Sequence, residues 1–136
     1  MKLTTVDDTA KAPAGNFTGD VYVTPVKKPE APSRLIAALV RFTPGARTNW
    51  HSHAVGQTLH VTEGVGLVVG RDGTAIRMRA GDTVWTPPGE EHWHGGTNST
   101  TMCHIAMLEA PDDNGGDGTT WLEPVTDAQY TAAHQD

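Results

Sequence analysis

The sequence predicts an all-β fold, a sandwich or barrel of short strands in a single domain spanning residues 1–136. Fifteen glycines and nine prolines break the chain at short intervals. Between the breaks lie β-rich runs with two-residue alternation of apolar and polar side chains. Hydrophobic residues make up 37% and charged residues 19% of the 136 positions, values ordinary for a globular chain long enough to bury one core. No internal repeat or coiled-coil pattern is present.

Taken in order, the candidate strands are residues 20–24, 34–43, 57–62, 66–69, 74–79, 82–86 and 102–108. Turn signals separate them: Pro44-Gly45, Glu63-Gly64, Arg71-Asp72-Gly73, Ala80-Gly81, Pro87-Pro88-Gly89 and Gly95-Gly96. Residues 1–15 are expected to be a loose leading segment, and the acidic, glycine-rich "APDDNGGDG" at 110–118 a flexible surface loop. Thr126-Asp127-Ala128-Gln129 has the form of a capping box and predicts a short C-terminal helix.

Alternation indicates which face each strand buries. In "LIAALVRF", turning Arg41 to water puts Ile36, Ala38, Val40 and Phe42 inside. In "AIRMRAG", Arg77 and Arg79 point out, so Ile76 and Met78 point in. In "TMCHIAML", Met102, His104, Ala106 and Leu108 share one face, while Cys103, Ile105 and Met107 share the other. Both faces are largely apolar, so one is expected to meet a second sheet or another subunit, as in a homodimer or homotetramer.

Charge and cysteine usage narrow the partners. The net charge is −6, and Lys27-Lys28 is the single adjacent basic pair. Phosphate-binding faces need clustered Lys and Arg, so nucleic acid is not expected. No apolar run reaches the length of a membrane span, and "MKLTTVDDTAKA" lacks the apolar segment of a secretory signal. Cys103 is the sole cysteine and can form no intrachain disulfide, which suits a reducing, cytoplasmic setting.

The chemistry concentrates in two short stretches. "WHSHAVGQ" carries His51 and His53 on one side of an extended segment, with Gln57 a short loop away. "PPGEEHWH" carries His92 and His94, again two apart. Two imidazoles from the first stretch and one later histidine form a nitrogen-rich set suited to Zn, Mn, Fe, Ni or Cu. His104 lies on the inward face derived above, where a neutral imidazole could serve as a general base. His94 shares the parity of His92 and is expected at the cavity mouth. His60 has the opposite parity to Gln57, and His134 lies in the tail, where it is expected to be solvated. Glu90 and Glu91 are expected to be solvated turn residues, and Trp50, Trp85 and Trp93 to be wall, core or interface. Cys103 faces away from His104.

These stretches resemble the two signatures of the cupin family. Gly45, His51, His53, Gln57 and Gly64 stand at the places of the first signature, and Gly81, Pro87, Gly89 and His92 at those of the second. Gly96 replaces the second signature's asparagine, and Gln57 stands where a glutamate is usual. The resemblance implies a double-stranded β-helix, a jelly-roll barrel, with His51, His53, Gln57 and His92 as metal ligands. A neutral glutamine in place of glutamate leaves a dication its full charge, favouring Lewis-acid work over support of a +3 oxidation state.

"PGARTNWHSHAVGQTLHVTEGVG", "AGDTVWTPPGEEHWHG" and "TTMCHIAMLE" are further similar to the small bacterial cupins that act as manganese-dependent hydroxynitrile lyases. Those proteins also carry glutamine at the third ligand and a histidine at the place of His104. What this implies is one divalent ion per chain, Mn(II) foremost with Fe(II), Zn(II) or Ni(II) as substitutes. It also implies cleavage of a cyanohydrin to an aldehyde and cyanide, with His104 as the proton acceptor. Ala38, Val40, Thr48, His94, Ala106 and Leu108 are the expected substrate pocket, and small molecules the expected partners. Two other readings stay open: an Fe(II)- and oxygen-dependent cupin dioxygenase, and a cupin that binds a small molecule or metal without catalysis.

Overall fold

The computed structural model describes residues 1–134. Among them the chain forms twelve strands: β1 (Ala10–Lys11), β2 (Phe17–Thr18), β3 (Val21–Lys27), β4 (Leu35–Phe42), β5 (Arg47–Thr48), β6 (His51–His53), β7 (Gln57–Gly70), β8 (Ala75–Arg79), β9 (Thr83–Thr86), β10 (His92–Gly96), β11 (Met102–Glu109) and β12 (Thr119–Trp121). One helix, α1 (Asp127–Ala132), follows. All pairings are antiparallel, and strand β7 belongs to two curled sheets. Its first half pairs with β9 and with β11, and β11 continues through β4 and β3 to β1. Its second half pairs with β8 and β10, and β10 in turn meets β5 and β6. Strands β2 and β12 lie outside β5 and β6.

Two glycine signals read from the sequence as turns are strand positions. Glu63-Gly64 does not separate two strands, because β7 runs through it. Thr62 is an extra residue of β7 in the pairing with β11, where Cys103 stands opposite Glu63 and His104 opposite Val61, and this bulge lets the long strand pass from one sheet to the other. Gly64 has φ +78°, and a Cβ there would stand 1.9 Å from the Thr101 carbonyl oxygen, so no other residue fits. Gly95-Gly96 likewise lies inside β10. A Cβ on Gly95 would come within 2.4 Å of the Ala46 carbonyl oxygen. Glycine in a strand marks close approach of a second backbone as readily as it marks a turn.

Other expectations are corrected locally. Within residues 1–15, Ala10–Lys11 pairs with β3, and the Ala12 amide donates to the Val21 carbonyl. Strands β5, β6, β10 and β12 were too short, or too polar, to show two-residue alternation. Ile76, expected inside with Met78, is 45% exposed; it lies opposite Val68 on β8, which has a strand on one side only. His134 is not free in the tail: its Nδ1 is 2.8 Å from the Tyr130 carbonyl, and its Nε2 accepts from the Asn98 amide.

Apolar side chains form two cores. Inside the barrel lie Val21, Val40, Phe42, Leu59, Val61, Val68, Met78, Met102 and Ala106. On the outer side of the second sheet, the opposite parity of β7 presents Leu67 and Val69 to Trp50, Trp93, Val125 and Tyr130. Helix α1 supplies Tyr130 and covers this face. It starts at the expected capping box, Thr126 accepting from the Gln129 amide and Gln129 reaching back to the Thr126 amide. Buried Arg47 fastens the helix through Asp127 (2.8 Å), the Val125 carbonyl (2.9 Å) and the Tyr130 ring (4.5 Å). The Tyr130 hydroxyl donates to the Gly96 carbonyl at 2.5 Å.

Tyr130 should therefore dominate the attachment of α1. Tyr130→Phe leaves the buried Gly96 carbonyl without its donor and should cost about 1–3 kcal/mol, while Tyr130→Ala should cost about 3–5 kcal/mol. Urea unfolding of the two variants checks the order; equal loss would mean that the ring contributes nothing beyond the hydroxyl, and a Tyr130→Phe variant as stable as wild type would mean that the hydroxyl contributes nothing.

Candidate metal centre

Register brings the histidines together. In the antiparallel pair of β6 and β10, His51 stands opposite His92, so their side chains share a face. His53 follows two residues later on that face. The Ala54-Val55-Gly56 turn, with Gly56 at φ +82°, then returns the chain to Gln57 at the start of β7. The Pro87-Pro88-Gly89 turn is tied to the same point, because the Gly89 amide donates to the His53 carbonyl at 3.0 Å. The ligand-capable nitrogens of His51, His53 and His92 all lie within 4.8 Å of one another, and all three residues are buried.

Hydrogen bonds decide which nitrogen faces the centre. The Nδ1 atoms of His51 and His92 lie 2.9 and 3.0 Å from the backbone carbonyls of Asn49 and Glu90. A carbonyl can only accept, so both rings carry their proton on Nδ1 and keep a bare lone pair on Nε2. His53 Nδ1 is 3.0 Å from Thr119 Oγ1, and its Nε2 is buried without any partner in the protein. Gln57 Oε1 lies 3.4 Å from His92 Nε2. With His92 in the Nδ1–H form, those two atoms are both acceptors. Converging lone pairs repel one another unless a cation stands between them, so this donor set fits a divalent ion, with the outer nitrogens held as metal-binding histidines require.

Electrostatics keeps the rings neutral. Burial pushes His53 down to about 4, helped by neighbouring His92 and opposed by the Asp117 carboxylate. Burial holds His51 well below the ordinary imidazole range, with His92 next in effect, and lowers His92 as well. A second pair lies alongside. His94 and His104 are fully enclosed, His104 Nε2 sits 3.0 Å from His94 Nδ1, and the outer nitrogens His94 Nε2 and His104 Nδ1 have no partner. Burial pushes His104 down to about 4 and holds His94 well below the usual range. The Phe42 ring packs 5.3 Å from that of His104.

His104 stands on the inward face, opposite Val40 and Val61. Ala38 pairs with Ala106, and both Val40 and Ala106 belong to the interior core. Buried Thr48 accepts from the His94 amide at 3.2 Å. His94 is corrected from the cavity mouth to the interior, since it is 4% exposed. Leu108 lines a small cleft of about 140 Å³ beside Gly56 and Trp85. A cleft of about 260 Å³ reaches His92 itself, between Val68, Ile76, Val84, Trp85, Thr86 and Glu90; this set was not read from the sequence. Nor were the Asn49 and Glu90 carbonyls, whose role is a backbone one, or Thr119, which lies 66 positions from His53. Trp50 and Trp93 are in the outer core, whereas Trp85 is 57% exposed. His60 points away from the centre and meets Thr83 Oγ1 at 2.8 Å.

Residues 38–108, which contain all these histidines, match the Cupin domain model, and the chain belongs to the cupin family. A protein from Granulicella tundricola named (R)-mandelonitrile lyase is 45% identical over 120 residues, covering 88% of this chain and 89% of that one. A cupin-like protein from Thermotoga maritima superposes with a TM-score of 0.84 at 36% identity, over 91% of this chain and 92% of that one. The polyketide cyclase RemF from Streptomyces resistomycificus has a TM-score of 0.72 over 98% of both chains at 17% identity, a likeness of fold alone.

The depressed histidines make the metal-free protein acid-sensitive. Each such imidazole takes up a proton less readily folded than unfolded, where about 6.5 is ordinary. The unfolded chain therefore binds more protons as pH falls, so their contribution is complete above about 6.5 and is lost on descent toward about 4. Thermal melts of chelator-treated protein should show Tm falling through that window. A Tm flat from pH 7 to 4 would contradict the buried neutral cluster.

Proposed function

We propose that this cupin is a metal-dependent lyase that splits cyanohydrins into an aldehyde and hydrogen cyanide. In this reading His51, His53, Gln57 and His92 hold one divalent ion, Mn(II) foremost, and His104 is the base. The observation that carries it is the set of buried Nε2 lone pairs facing one another with acceptors behind them, beside a buried imidazole, His104, whose Nδ1 has no partner. The 45% identity to an (R)-mandelonitrile lyase supports the choice of substrate class. A divalent ion bound there supplies Lewis-acid polarisation, which lowers the proton affinity of a substrate hydroxyl.

The chain's own residues account for the proton. When His104 donates its Nε2–H to His94 Nδ1, its Nδ1 is a bare acceptor. That nitrogen takes the hydroxyl proton as the carbon–carbon bond to the nitrile breaks. The electron pair leaves on cyanide, and the imidazolium returns its proton to give hydrogen cyanide. Burial keeps His104 neutral down to about 4, so the base is ready at the mildly acidic pH where cyanohydrins persist. Ala38, Val40, Thr48, His94, Ala106 and Leu108 shape the substrate side of the cavity, and apolar Val40, Phe42 and Ala106 exclude water from His104. The chain works as a homo-oligomer in the reducing cytoplasm, in keeping with the apolar outer face of β11 and one buried thiol.

Mandelonitrile cleavage by manganese-loaded protein, followed as benzaldehyde release, tests the proposal. His53→Ala should lose metal with the fold kept. His104→Ala should keep metal and lose about 10²–10⁴-fold in turnover. Gln57→Glu should keep metal and turn over more slowly, because an anionic ligand weakens the Lewis acid. Loaded wild type that cleaves no cyanohydrin overturns the lyase reading, and oxygen consumption with Fe(II) would replace it with a dioxygenase.

A further inference from the structure

Each histidine of β6 has a cross-strand partner on the outermost strand of its sheet. In the antiparallel pair of β6 and β12, Thr119 stands opposite His53 and Trp121 opposite His51. Side chains so opposed lie on one face. Thr119 Oγ1 is 3.0 Å from His53 Nδ1, and the Trp121 ring packs 4.8 Å from the His51 ring. The strand is pinned at both ends. The Ala54 amide donates to the Gly118 carbonyl at 2.9 Å, and the Leu122 amide to the Trp50 carbonyl at 2.8 Å.

His53 differs from its two neighbours in one respect. Backbone carbonyls fix the tautomers of His51 and His92, and no side-chain substitution removes a carbonyl. The Nδ1 partner of His53 is a hydroxyl, which can accept or donate, so its tautomer is set by a side chain. The Asp117 carboxylate, two residues before Thr119, accepts from the Thr119 amide at 2.9 Å and acts electrostatically on His53. A negative charge on that side favours the N–H pole of the ring over its lone pair.

We propose that Thr119 is the positioning residue of the metal centre: by accepting from His53 Nδ1–H, it holds the ring so that the Nε2 lone pair faces those of His51 and His92. The proposal rests on the metal-binding reading above. Without the hydroxyl, Nδ1 has no acceptor and the ring is free to move its proton to Nε2, which would aim an N–H at the place of the ion. Loss of such an outer partner lowers metal affinity by about 10–100-fold.

Thr119→Val is close to isosteric and removes the acceptor; Thr119→Ser restores it. Thr119→Ala serves in place of the valine variant should circular dichroism show the latter unfolded. Two readouts are needed. In metal-free protein, imidazole ¹⁵N shifts should report the Nδ1–H form of His53 in wild type and Thr119→Ser, and a mixed or Nε2–H form in Thr119→Val. Competition with a chelator should then give a Mn(II) Kd raised about 10–100-fold in Thr119→Val and near wild type in Thr119→Ser. Wild type and Thr119→Val alike in both readouts would overturn the role of Thr119 and leave the metal site intact. Wild type that takes up no ion would overturn the metal reading and this one with it.

Discussion

The pairing of β6 with β10 is the constraint on which the rest of the structure depends. It sets His51 opposite His92, and a slip of one residue would turn one of the two imidazoles out of the barrel. Both flanking turns serve this register. Gly56 returns the chain after His53, and the Gly89 amide holds the Pro-Pro-Gly turn against the His53 carbonyl. Further along the same edge of β10, close approach of β5 is possible because Gly95 has no Cβ to meet Ala46. The same register continues outward to β12, so one row of side chains crosses Trp121, His51 and His92.

A cluster of buried imidazoles can persist only while uncharged. Burial drives His51, His53, His92, His94 and His104 the same way, toward the neutral form, and at His51, His53 and His94 the neighbouring imidazoles reinforce it because imidazolium ions repel one another. Neutral rings are also what a metal needs, since the proton and the ion compete for one lone pair. The ligand-capable set contains no carboxylate; the acidic groups acting on it from outside are Asp117 on His53 and Glu90 on His92. That absence of ligand charge distinguishes this centre from one built with glutamate at the position of Gln57.

The fold alone would not separate these possibilities. A polyketide cyclase and this chain share their architecture over nearly their full lengths, and fold does not carry function. What a centre does rests on which groups hold it, what stands beside it, and what closes the barrel around it. Here the neighbours are a hydrogen-bonded His94–His104 pair and a wall of Val40, Phe42 and Ala106. The outer core beneath α1 supports the second sheet through Tyr130 and Arg47.

Much of this was legible in the chain itself, because its information is local. Strand alternation fixed the inward face of β11 and hence His104, turn residues marked the hairpins, and the spacing of Gly45, His51, His53, Gln57, Pro87, Gly89 and His92 carried the family and the histidine cluster. The helix cap could be read from four consecutive residues. Alternation failed at Ile76, where an unpartnered strand edge leaves an inward-parity side chain exposed, and the turn signals failed at Gly64 and Gly95, where glycine marks contact and not reversal. Only tertiary structure decided which nitrogen of each ring faces the centre, that His94 is enclosed against His104, and that Thr119 stands behind His53. Those facts depend on hydrogen bonds between segments far apart in the chain, and a local pattern of residues cannot encode the partner on the next strand.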